Sequence, residues 1–447
     1  MNHDGSMVKN NHYPKVAIAA CFGTFLEWYD FLTFATLATF FSSNFFSSSD
    51  PNTSLLASLA TFGIGMIVRP IGAALFGSMG DRIGRRPVFM ITICLMGFAT
   101  FSVGFLPTYA QIGIWAPILL VFLRILQGLS AGGEIGGSAV YLTEHAGSSQ
   151  RGFKTSFLQI MGPLGILFST LQVALLREYL SAEDFQSWGW RIPFWLSIVL
   201  LAIAFKARIA LEETPVFIKL NKSKISRSIS LFENLKDKEI RKKMLLVFFC
   251  VSSPGAILFF CVQIYTFIFL KSILDFPPQI TDQLNIFSIC ILIPLIVFAG
   301  WLSDKIGRRP VVIAGLFLGA ASIYPIFEIL QYLSQSYISN TELTENIYLI
   351  GLMLTFLSLP LALVVGPQTA LLAELFPAET RNSAATFPHN LAAGWIGGLL
   401  PLIVSWINIQ TESNLAGLWY PICFLGIASV VAIYYLPESF KKILYDP

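Results

Sequence analysis

The chain consists of long apolar runs separated by short polar segments. Each run has roughly 20 to 31 residues, and about 20 residues are enough for a helix to cross the hydrocarbon core of a bilayer. Charged residues make up 12% of the 447 residues, whereas a soluble domain carries about 25%. Because so few charged residues cannot cover a surface that faces water, we predict an all-α integral membrane protein. Its predicted helices are 15–42, 54–79, 87–106, 114–143, 153–177, 189–211, 242–271, 281–303, 310–333, 345–375, 382–408 and 415–436.

The basic residues lie on alternate sides of these predicted helices. The segment between the second and third runs carries Arg82, Arg85 and Arg86, whereas 42–54 and 334–346 carry no Lys or Arg. Eleven of the 29 Lys and Arg residues lie between positions 206 and 243. Because basic residues concentrate in cytoplasmic loops, both termini and this central segment are predicted to be cytoplasmic. Twelve helices with both ends on one side is a consistent count.

The sequence contains a repeat with a period of about half the chain. GSMGDRIGRRPVF (77–89) recurs as GWLSDKIGRRPVV (300–312), so Asp81 recurs as Asp304, 223 residues later. YLTEHAGSSQR (141–151) recurs as LLAELFPAETR (371–381), 230 residues later. Parallel halves of this kind hold a solute site between them near the midplane. We therefore predict two pseudo-symmetric six-helix bundles, 1–211 and 242–447, joined by a cytoplasmic loop, 212–241.

The repeated segment resembles the signature of the major facilitator superfamily, G-x-x-x-D-R-x-G-R-R, and the resemblance covers essentially the whole chain. It implies the twelve-helix fold of that superfamily. An Asp at the end of one helix can pair with basic groups and with the positive N-terminus of a helix in the other half. The glycines permit a tight turn. The predicted cytoplasmic gate, which sets the conformational equilibrium, comprises Gly77, Asp81, Arg82, Gly84, Arg85, Arg86, Asp304, Lys305, Arg308, Arg309, Glu144, Arg151, Glu374 and Arg381.

Ionisable residues lie deep in the predicted spans of the first half. Each is a functional candidate, because a charge at the centre of a span costs about 2.5–3.5 kcal/mol. Glu27 and Asp30 in the first run and Arg124 in the fourth all fall near the midplane, at about 1.5 Å of rise per residue. We predict that Arg124 faces at least one of these acids. Two carboxylates so close cannot both ionise comfortably, so Asp30 is predicted to carry the proton and Glu27 to pair with an arginine. The alternative is a permanent structural ion pair.

The fourth run separates its polar and small residues onto neighbouring faces. The polar face contains Arg124, Gln127, Ala131, Glu134 and Ser138. These positions span about 80° at 100° per residue and are predicted to line the cavity, with Glu134 a third proton-coupling candidate. Gly128, Gly132 and Gly136 follow a four-residue spacing, which favours close packing against another helix.

Three runs resemble one branch of the superfamily, the metabolite:proton symporters. They are GTFLEWYDF, GMIVRPIGAALFGSMGDRIGRRP and LQGLSAGGEIGGSAVYLTEHA. The resemblance implies proton-driven uptake of a small metabolite, with the proton as coupling ion and no other cofactor. Known substrates of the branch are di- and tricarboxylates, shikimate-like acids, and zwitterions such as proline and betaine. The predicted substrate-binding residues are Arg124, Arg69, Gln127, Tyr29, Gln263, Tyr265, Gln368, Asn390 and Trp395.

The chemical class of the substrate stays open at this stage. Arg69 and Arg124 suit a carboxylate, because guanidinium groups bind carboxylates through two parallel hydrogen bonds. If both arginines are already paired with acids, the cavity is nearly neutral and a zwitterion suits it better. Trp395 and Tyr265 are then candidates for a cation–π contact with a quaternary amine.

The sequence contains no nucleophile–base pair, metal-ligand cluster or phosphate-binding loop, so we expect no enzymatic activity. The expected partners are the lipid bilayer, a small solute and the proton, with no nucleic acid. We expect a monomer in the plasma membrane, the inner membrane of a bacterium. Two other functions stay open. One is export or exchange, because Gly162-Pro163-Leu164-Gly165 partly matches a motif of proton-antiporting drug exporters. The other is a sensor that keeps the fold without transport.

Overall fold

The computed structural model describes residues 13–46, 51–147, 149–209, 231–338, 343–377 and 380–440. All regular secondary structure in these residues is helical. Short helices at Ala38–Phe45, Tyr109–Ile112, Ala182–Ser187 and Gly189–Arg191 connect the long ones of the first half. The long helices are α1, Tyr13–Thr36; α2, Pro51–Ile67 continued by Arg69–Ile83; α3, Arg85–Val103; α4, Trp115–His145; α5, Arg151–Gln159 continued by Met161–Tyr179; and α6, Ile192–Ile209.

The second half begins with a short helix, Leu231–Lys236. The Asp237 side chain then accepts hydrogen bonds from the backbone N–H groups of Glu239 and Ile240. Because this cap satisfies the free N–H groups of a helix start, the next helix begins at Lys238, before the predicted position 242. The long helices are α7, Lys238–Leu246 continued through π-helical segments to 273; α8, Pro278–Ile306; α9, Arg308–Ile338; α10, Leu343–Glu374; α11, Arg381–Leu391 continued by Ala392–Gly397 and Leu400–Thr411; and α12, Trp419–Tyr435.

Eleven helical segments of the described residues are long and apolar enough to cross a membrane. The predicted all-α membrane architecture is therefore confirmed. The helix α1, which carries Glu27 and Asp30, is not one of the eleven, so the count of twelve spans and the cytoplasmic placement of both termini stay predictions. The division into 1–211, 212–241 and 242–447 also stays a prediction, and 210–230 lie outside the described residues.

Two tight turns account for the second glycine of each repeated motif. Gly84, between α2 and α3, has a φ of 100°, and Gly307, between α8 and α9, has a φ of 105°. Backbone of this kind is open to glycine and strained for other residues. The tight turns predicted from the motif are therefore confirmed in both copies.

The glycine face of α4 packs against α2, as predicted. A Cβ on Gly128 would overlap the carbonyl oxygen of Gly65, and a Cβ on Gly132 would overlap that of Arg69. The two helices therefore approach each other at backbone distance. The side-chain surroundings of the third predicted position, Gly136, lie outside the described residues.

The long helices form two sets that meet along two seams. In the first set α1 packs on α5, and α4 packs on α2 and α3. In the second set α10 packs on α8 and α9, and α9 packs on α12. The sets meet where α5 lies against α8 and α10, and where α11 lies against α2 and α4. A cavity between the seams is therefore walled by helices of both halves.

Candidate functional site

The two acids of α1 each pair with an arginine of the same half. Glu27 forms an ion pair with Arg69 of α2, and Asp30 Oδ2 lies 3.4 Å from Arg124 Nη1 of α4. All four side chains are buried. The predicted contact between Arg124 and an acid of α1 is thus present, and Glu27 has the arginine partner that we predicted for it.

Gln127 contributes as much to the surroundings of Asp30 as Arg124 does. Its Nε2 donates to Asp30 Oδ1 over 2.8 Å, and its Oε1 accepts from Arg124 Nη1 over 2.9 Å. The direct distance of 3.4 Å between Arg124 and Asp30 exceeds the roughly 2.7–2.9 Å of a strong charge-assisted hydrogen bond. Asp30 is therefore held by one short hydrogen bond from an uncharged amide and by a longer contact with Arg124.

Aromatic rings of α1 enclose both arginines. The guanidinium carbon of Arg124 lies 4.1 Å from the centroid of Phe34. That of Arg69 lies 5.2 Å from Phe31 and 5.6 Å from Trp28. Cation–π contacts are strongest where water is excluded. Arg69 and Arg124 are thus engaged by an acid and by aromatic faces within the first half alone.

Glu134 has a different neighbourhood from the acids of α1. Arg208 of α6 contacts both of its carboxylate oxygens, with 2.9 Å from Nη1 to Oε2, and the Thr92 hydroxyl donates to Oε2 over 3.2 Å. Sequence analysis missed this arginine, because Arg208 stands among the eleven basic residues counted with the central loop. It is instead 1% exposed. The contacts of Glu134 connect α3, α4 and α6. Its role in proton coupling stays a prediction.

The pair between Glu134 and Arg208 depends on Gly23 of α1. A Cβ at position 23 would overlap the guanidinium group and the carboxylate. We expect Gly23→Ala to lower the free energy of unfolding by about 1–3 kcal/mol, the usual effect of overpacking a buried site, because the guanidinium and the carboxylate must shift. Thermal unfolding of the detergent-purified protein measures this. The matched control is Gly426→Ala, because a Cβ on Gly426 of α12 meets no atom within 4 Å. Equal unfolding temperatures for the two variants would contradict the interpretation.

A cavity lies between the two sets of helices. Its walls come from α1 and α5 on one side and from α7, α8, α10 and α11 on the other. The volume open to the centres of water molecules is about 60 Å³, which corresponds to roughly four to six waters. Among the described residues, the lining side chains include no Asp, Glu, Lys or Arg. The residues around it are Thr24, Trp28, Leu158, Gln159, Gly162, Gly255, Ala256, Phe259, Phe260, Ile296, Leu361, Val365, Gln368, His389 and Ala393.

Uncharged polar groups of both halves meet in the cavity wall. Gln159 Nε2 of α5 donates to Gln368 Oε1 over 3.3 Å and to the Thr369 hydroxyl over 3.0 Å. His389 Nδ1 lies 3.3 Å from the Ser252 hydroxyl. Sequence analysis missed Gln159, although an amide next to the Gly162-Pro163 segment of an apolar run is a usable signal.

Most predicted substrate-binding residues lie outside the cavity wall. Of the nine, only Gln368 lines the cavity in the described part of the chain. Gln263 is buried in α7. The others make contacts elsewhere. The Tyr29 hydroxyl lies 2.5 Å from Gln172 Oε1 and 2.9 Å from the Pro193 carbonyl oxygen, Tyr265 accepts from Asn408, and Asn390 donates to the Gly132 carbonyl.

Two groups of residues expected at the cavity wall lie elsewhere in this structure, and their roles in substrate binding stay predictions. The polar face of α4 does not line the cavity, because Arg124 and Glu134 are turned towards their partners in α1 and α6. Trp395 does not line it either, since its side chain is 51% exposed and its indole N–H donates to the Ile67 carbonyl. Trp28 and Phe259 take the aromatic position instead, with ring centroids 4.8 Å apart.

The turns at Gly84 and Gly307 lie at the same end of the helices, which we call the motif end. There the second copy of the repeated motif connects the two halves. Asp304 accepts hydrogen bonds from the backbone N–H groups of Gly152 (2.9 Å) and Phe153 (2.7 Å), at the start of α5. Arg308 lies 2.7 Å from the same carboxylate. The predicted pairing of the motif Asp with a basic group and with a helix N-terminus of the other half is therefore present for Asp304.

Two further ion pairs cross between the halves at the motif end. Arg151 Nη1 lies 2.9 Å from Glu374 Oε1, and Arg381 Nη1 lies 3.1 Å from Glu144 Oε1. All four residues are buried. Because Glu144 recurs as Glu374 and Arg151 as Arg381, 230 residues later, the repeat converts one pair into the other. These contacts close the motif end in this structure.

Other charged residues of the motifs contact their own half. The Glu438 carboxylate, outside the predicted set, accepts from the Arg308 and Arg309 backbone N–H groups over 2.9 and 3.1 Å. Its only sequence signal is that LPESF, at 436–440, partly repeats LEETPVF. The side chains of Asp81 and Arg85 lie outside the described residues, and Arg82 is exposed. Arg86 donates to the Ile209 carbonyl over 2.8 Å, and Lys305 lies over Trp301.

The chain is similar along nearly its whole length to known membrane transporters. A family model described as "Sugar (and other) transporter" matches residues 16–438. The inner membrane metabolite transport protein YhjE of Escherichia coli is 35% identical, over 94% of this chain and 93% of that protein. The shikimate transporter of Escherichia coli is 33% identical, over 93% and 91%. The proline/betaine transporter of Salmonella typhimurium is 31% identical, over 96% and 84%.

Solved structures of the xylose transporter XylE have the same fold. The proton:xylose symporter XylE of the major facilitator superfamily, bound to 6-bromo-6-deoxy-D-glucose, superposes with a TM-score of 0.72 at 19% identity. It covers 97% of this chain and 98% of that one. The inward-open form of XylE from Escherichia coli gives 0.66 at 20% identity, over 97% and 98%.

Proposed function

Because the chain belongs to the sugar (and other) transporter family of the major facilitator superfamily, we propose that it imports a small zwitterionic metabolite together with a proton. It is a multi-pass membrane transporter and not an enzyme. In the proposed mechanism twelve helices cross the inner membrane of a bacterium, with both termini in the cytoplasm. The transporter alternates between a form closed at one end and a form closed at the other. The motif end is then the cytoplasmic end.

The observation that carries the proposal is the neutrality of the cavity. Arg69 and Arg124, the groups suited to an anionic substrate, are already paired with Glu27 and Asp30. An anion in a wall without Lys or Arg would lack a counter-charge, and burial of an unpaired charge is strongly unfavourable. A zwitterion carries both charges itself, so amides and aromatic rings are sufficient to orient it.

The two ends of a zwitterion fit different parts of the wall. The rings of Trp28 and Phe259 offer their faces to an ammonium group. Gln368 and His389 present polar side chains to a carboxylate at the wall, and Gln159 can exchange its contacts with Gln368 and Thr369 for a hydrogen bond to it. Relatives named as proline/betaine transporters support this substrate class, and the similarity to the shikimate transporter makes an anionic solute the alternative to test.

Trp28 provides a physical link between the solute and the buried charges. Its ring lines the cavity and lies 5.6 Å from the guanidinium carbon of Arg69. It also stands between Glu27 and Asp30 on α1. In the proposed mechanism a bound solute shifts the ring, the ring shifts the neighbouring pairs, and a proton on Asp30 releases Arg124 from its acid.

The proposal is tested by a thermal-shift screen of the purified protein against betaine, proline, shikimate and citrate at pH 6 and pH 7.5. We expect stabilisation by the zwitterions, stronger at pH 6, followed by accumulation of the same solute in proteoliposomes placed in acid. Stabilisation by citrate or shikimate alone would contradict the zwitterion assignment. Counterflow without accumulation in acid would favour exchange, and binding without flux would favour a sensor.

The aromatic part of the site predicts a difference between two tryptophans. We expect Trp28→Ala to weaken binding of the solute identified by the screen by about 10- to 30-fold. This corresponds to loss of a desolvated cation–π contact of about 2 kcal/mol. Trp395→Ala is the matched control, because its exposed ring lies outside the cavity wall. Isothermal calorimetry in detergent measures both affinities. An equal loss for the two variants would contradict the placement of the site.

A further inference from the structure

The helix α11 carries a row of polar residues from the cavity to the motif end. Asn382, Thr386, His389 and Ala393 follow a spacing of four, three and four residues, so they fall within about 60° of one helix face at 100° per residue. His389 and Ala393 line the cavity. Asn382 and Thr386 continue the same face towards the motif end, and Asn382 stands next to the gate residue Arg381. We call Asn382, Thr386 and His389 the α11 polar stripe.

The outer part of the α11 polar stripe is buried, and each of its two residues has an oxygen without a hydrogen-bond partner in the described part of the chain. Asn382 is 4% exposed and Thr386 is 1% exposed. Asn382 Oδ1 and Thr386 Oγ1 form no hydrogen bond with any residue that the structure describes. Leaving a buried polar group unpaired is unfavourable by about 1–3 kcal/mol. A helix face optimised for packing alone would place apolar residues at these positions, as it does on the opposite face with Ala384.

Separation of the two halves would break the contacts between this face of α11 and the first half. Asn382 Nδ2 donates to the Gly77 carbonyl of α2 over 3.3 Å. Asn390, which flanks the α11 polar stripe, donates to the Gly132 carbonyl of α4 over 3.0 Å. Both acceptors are glycine carbonyls on the facing helices. When the two helices move apart, the amides and these carbonyls become available to water or to a solute.

The short helix before α7 covers the outer end of this face. Asn234 of Leu231–Lys236 is fully buried, and its Nδ2 donates to the Ser383 hydroxyl of α11 over 2.8 Å. Its Oδ1 also has no hydrogen-bond partner among the described residues. Three buried side chains with unpaired oxygens, Asn234, Asn382 and Thr386, therefore follow one another from the motif end towards His389.

We propose that the α11 polar stripe is the wall of the path by which the solute leaves the cavity through the motif end. This inference rests on the proposed transport function and adds a route to it. The stripe carries hydroxyl, amide and imidazole groups and no fixed charge, which matches the neutral cavity. A zwitterion moving along it exchanges hydrogen bonds with successive side chains and meets no ion pair until the gate at Arg381.

The path is tested by labelling single cysteines with a positively charged, membrane-impermeant methanethiosulfonate in purified protein whose six native cysteines are replaced by Ala or Ser. The test sites are Thr386→Cys and Asn382→Cys. The control is Ala384→Cys, which lies on the opposite face of the same helix and is fully buried in the core. Adding Glu144→Gln, which removes the charge that Arg381 pairs with, is expected to open the motif end.

We expect the Glu144→Gln background to accelerate labelling at Thr386→Cys and Asn382→Cys by about tenfold or more, because labelling follows the population of the open form. Labelling at Ala384→Cys is expected to stay slow. If Asn382→Cys does not fold, Thr386→Cys carries the test alone. Equal acceleration at Thr386→Cys and Ala384→Cys, or none at Thr386→Cys, would overturn the path.

The labelling experiment needs no knowledge of the solute, so it separates this inference from the proposed function. The expected labelling in a protein that transports none of the screened solutes would leave the path in place and reject the function. Normal uptake without the expected labelling would reject the path and leave the proposed function in place. As a second readout, Thr386→Val removes the hydroxyl at nearly constant volume. We expect it to slow net uptake several-fold without changing the affinity measured by calorimetry, whereas a merely structural role would change the unfolding temperature and leave the rate intact.

Discussion

Asp30→Asn is expected to abolish accumulation of the solute in proteoliposomes driven by a pH gradient, while exchange of solute between the two sides continues. The substitution keeps the hydrogen bond with Gln127 within reach but removes the group that we propose to take up the proton. A one-proton symporter can concentrate a neutral or zwitterionic solute by up to about tenfold per pH unit, because one pH unit is worth about 1.36 kcal/mol. The variant is expected to reach no concentration above that outside. Radiolabelled uptake at pH 6 outside and pH 7.5 inside measures the difference.

Two further carboxylate variants serve as controls, one for the loss of an exposed acid and one for the loss of a buried ion pair. Glu328→Gln changes an exposed acid of α9 and is expected to accumulate solute like the unmodified protein. Glu27→Gln leaves Arg69 without its acid and is expected to lower the unfolding temperature. Normal accumulation by Asp30→Asn would show that the proton is carried elsewhere, and Glu134 would be the next residue to test.

The parts of the fold that follow from depth in the membrane were predictable from the sequence. A fixed rise per residue places Asp30 and Arg124 at the same level, so their contact could be predicted without knowledge of any helix packing. The glycine face of α4 was predictable for a similar reason, since glycine at a four-residue spacing permits close helix approach. The turn at Gly307 follows from the conformational freedom of glycine in the motif.

The rotation of helices about their axes was not predictable in the same way. In α11 the segment that carries Trp395, Ala392–Gly397, is π-helical, and a regular helical period does not predict which way the side chains of such a segment face. Depth in the membrane also does not identify ion-pair partners where several charged residues lie at the same depth. The acids that pair with Arg69 and Arg208 were therefore identified only by the structure. Arg208 was further hidden by its position beside a basic loop, where an arginine is expected to face water.

The crossed ion pairs at the motif end predict the largest change in conformation. Arg381→Glu places two carboxylates together where Glu144 and Arg381 now pair. Removing one partner of a buried pair is unfavourable by about 3–5 kcal/mol, so we expect the equilibrium to shift by about 10²- to 10³-fold towards the form that is open at this end. Spin labels at Ile83 and Ile306, which are exposed, report this by pulsed electron resonance as a longer distance.

Restoring the opposite charges in exchanged positions is expected to reverse the effect. The double variant Glu144→Arg with Arg381→Glu rebuilds the pair with its direction inverted, and the repeat already contains that direction in Arg151 and Glu374. The control Lys305→Glu changes a motif charge that is exposed and lies over Trp301 of its own helix, so the distance is expected to stay short. If the double variant remains open while Lys305→Glu stays closed, the pair acts through its exact side-chain geometry. If Arg381→Glu leaves the distance unchanged, Asp304 and its hydrogen bonds to α5 hold the motif end closed without the pair.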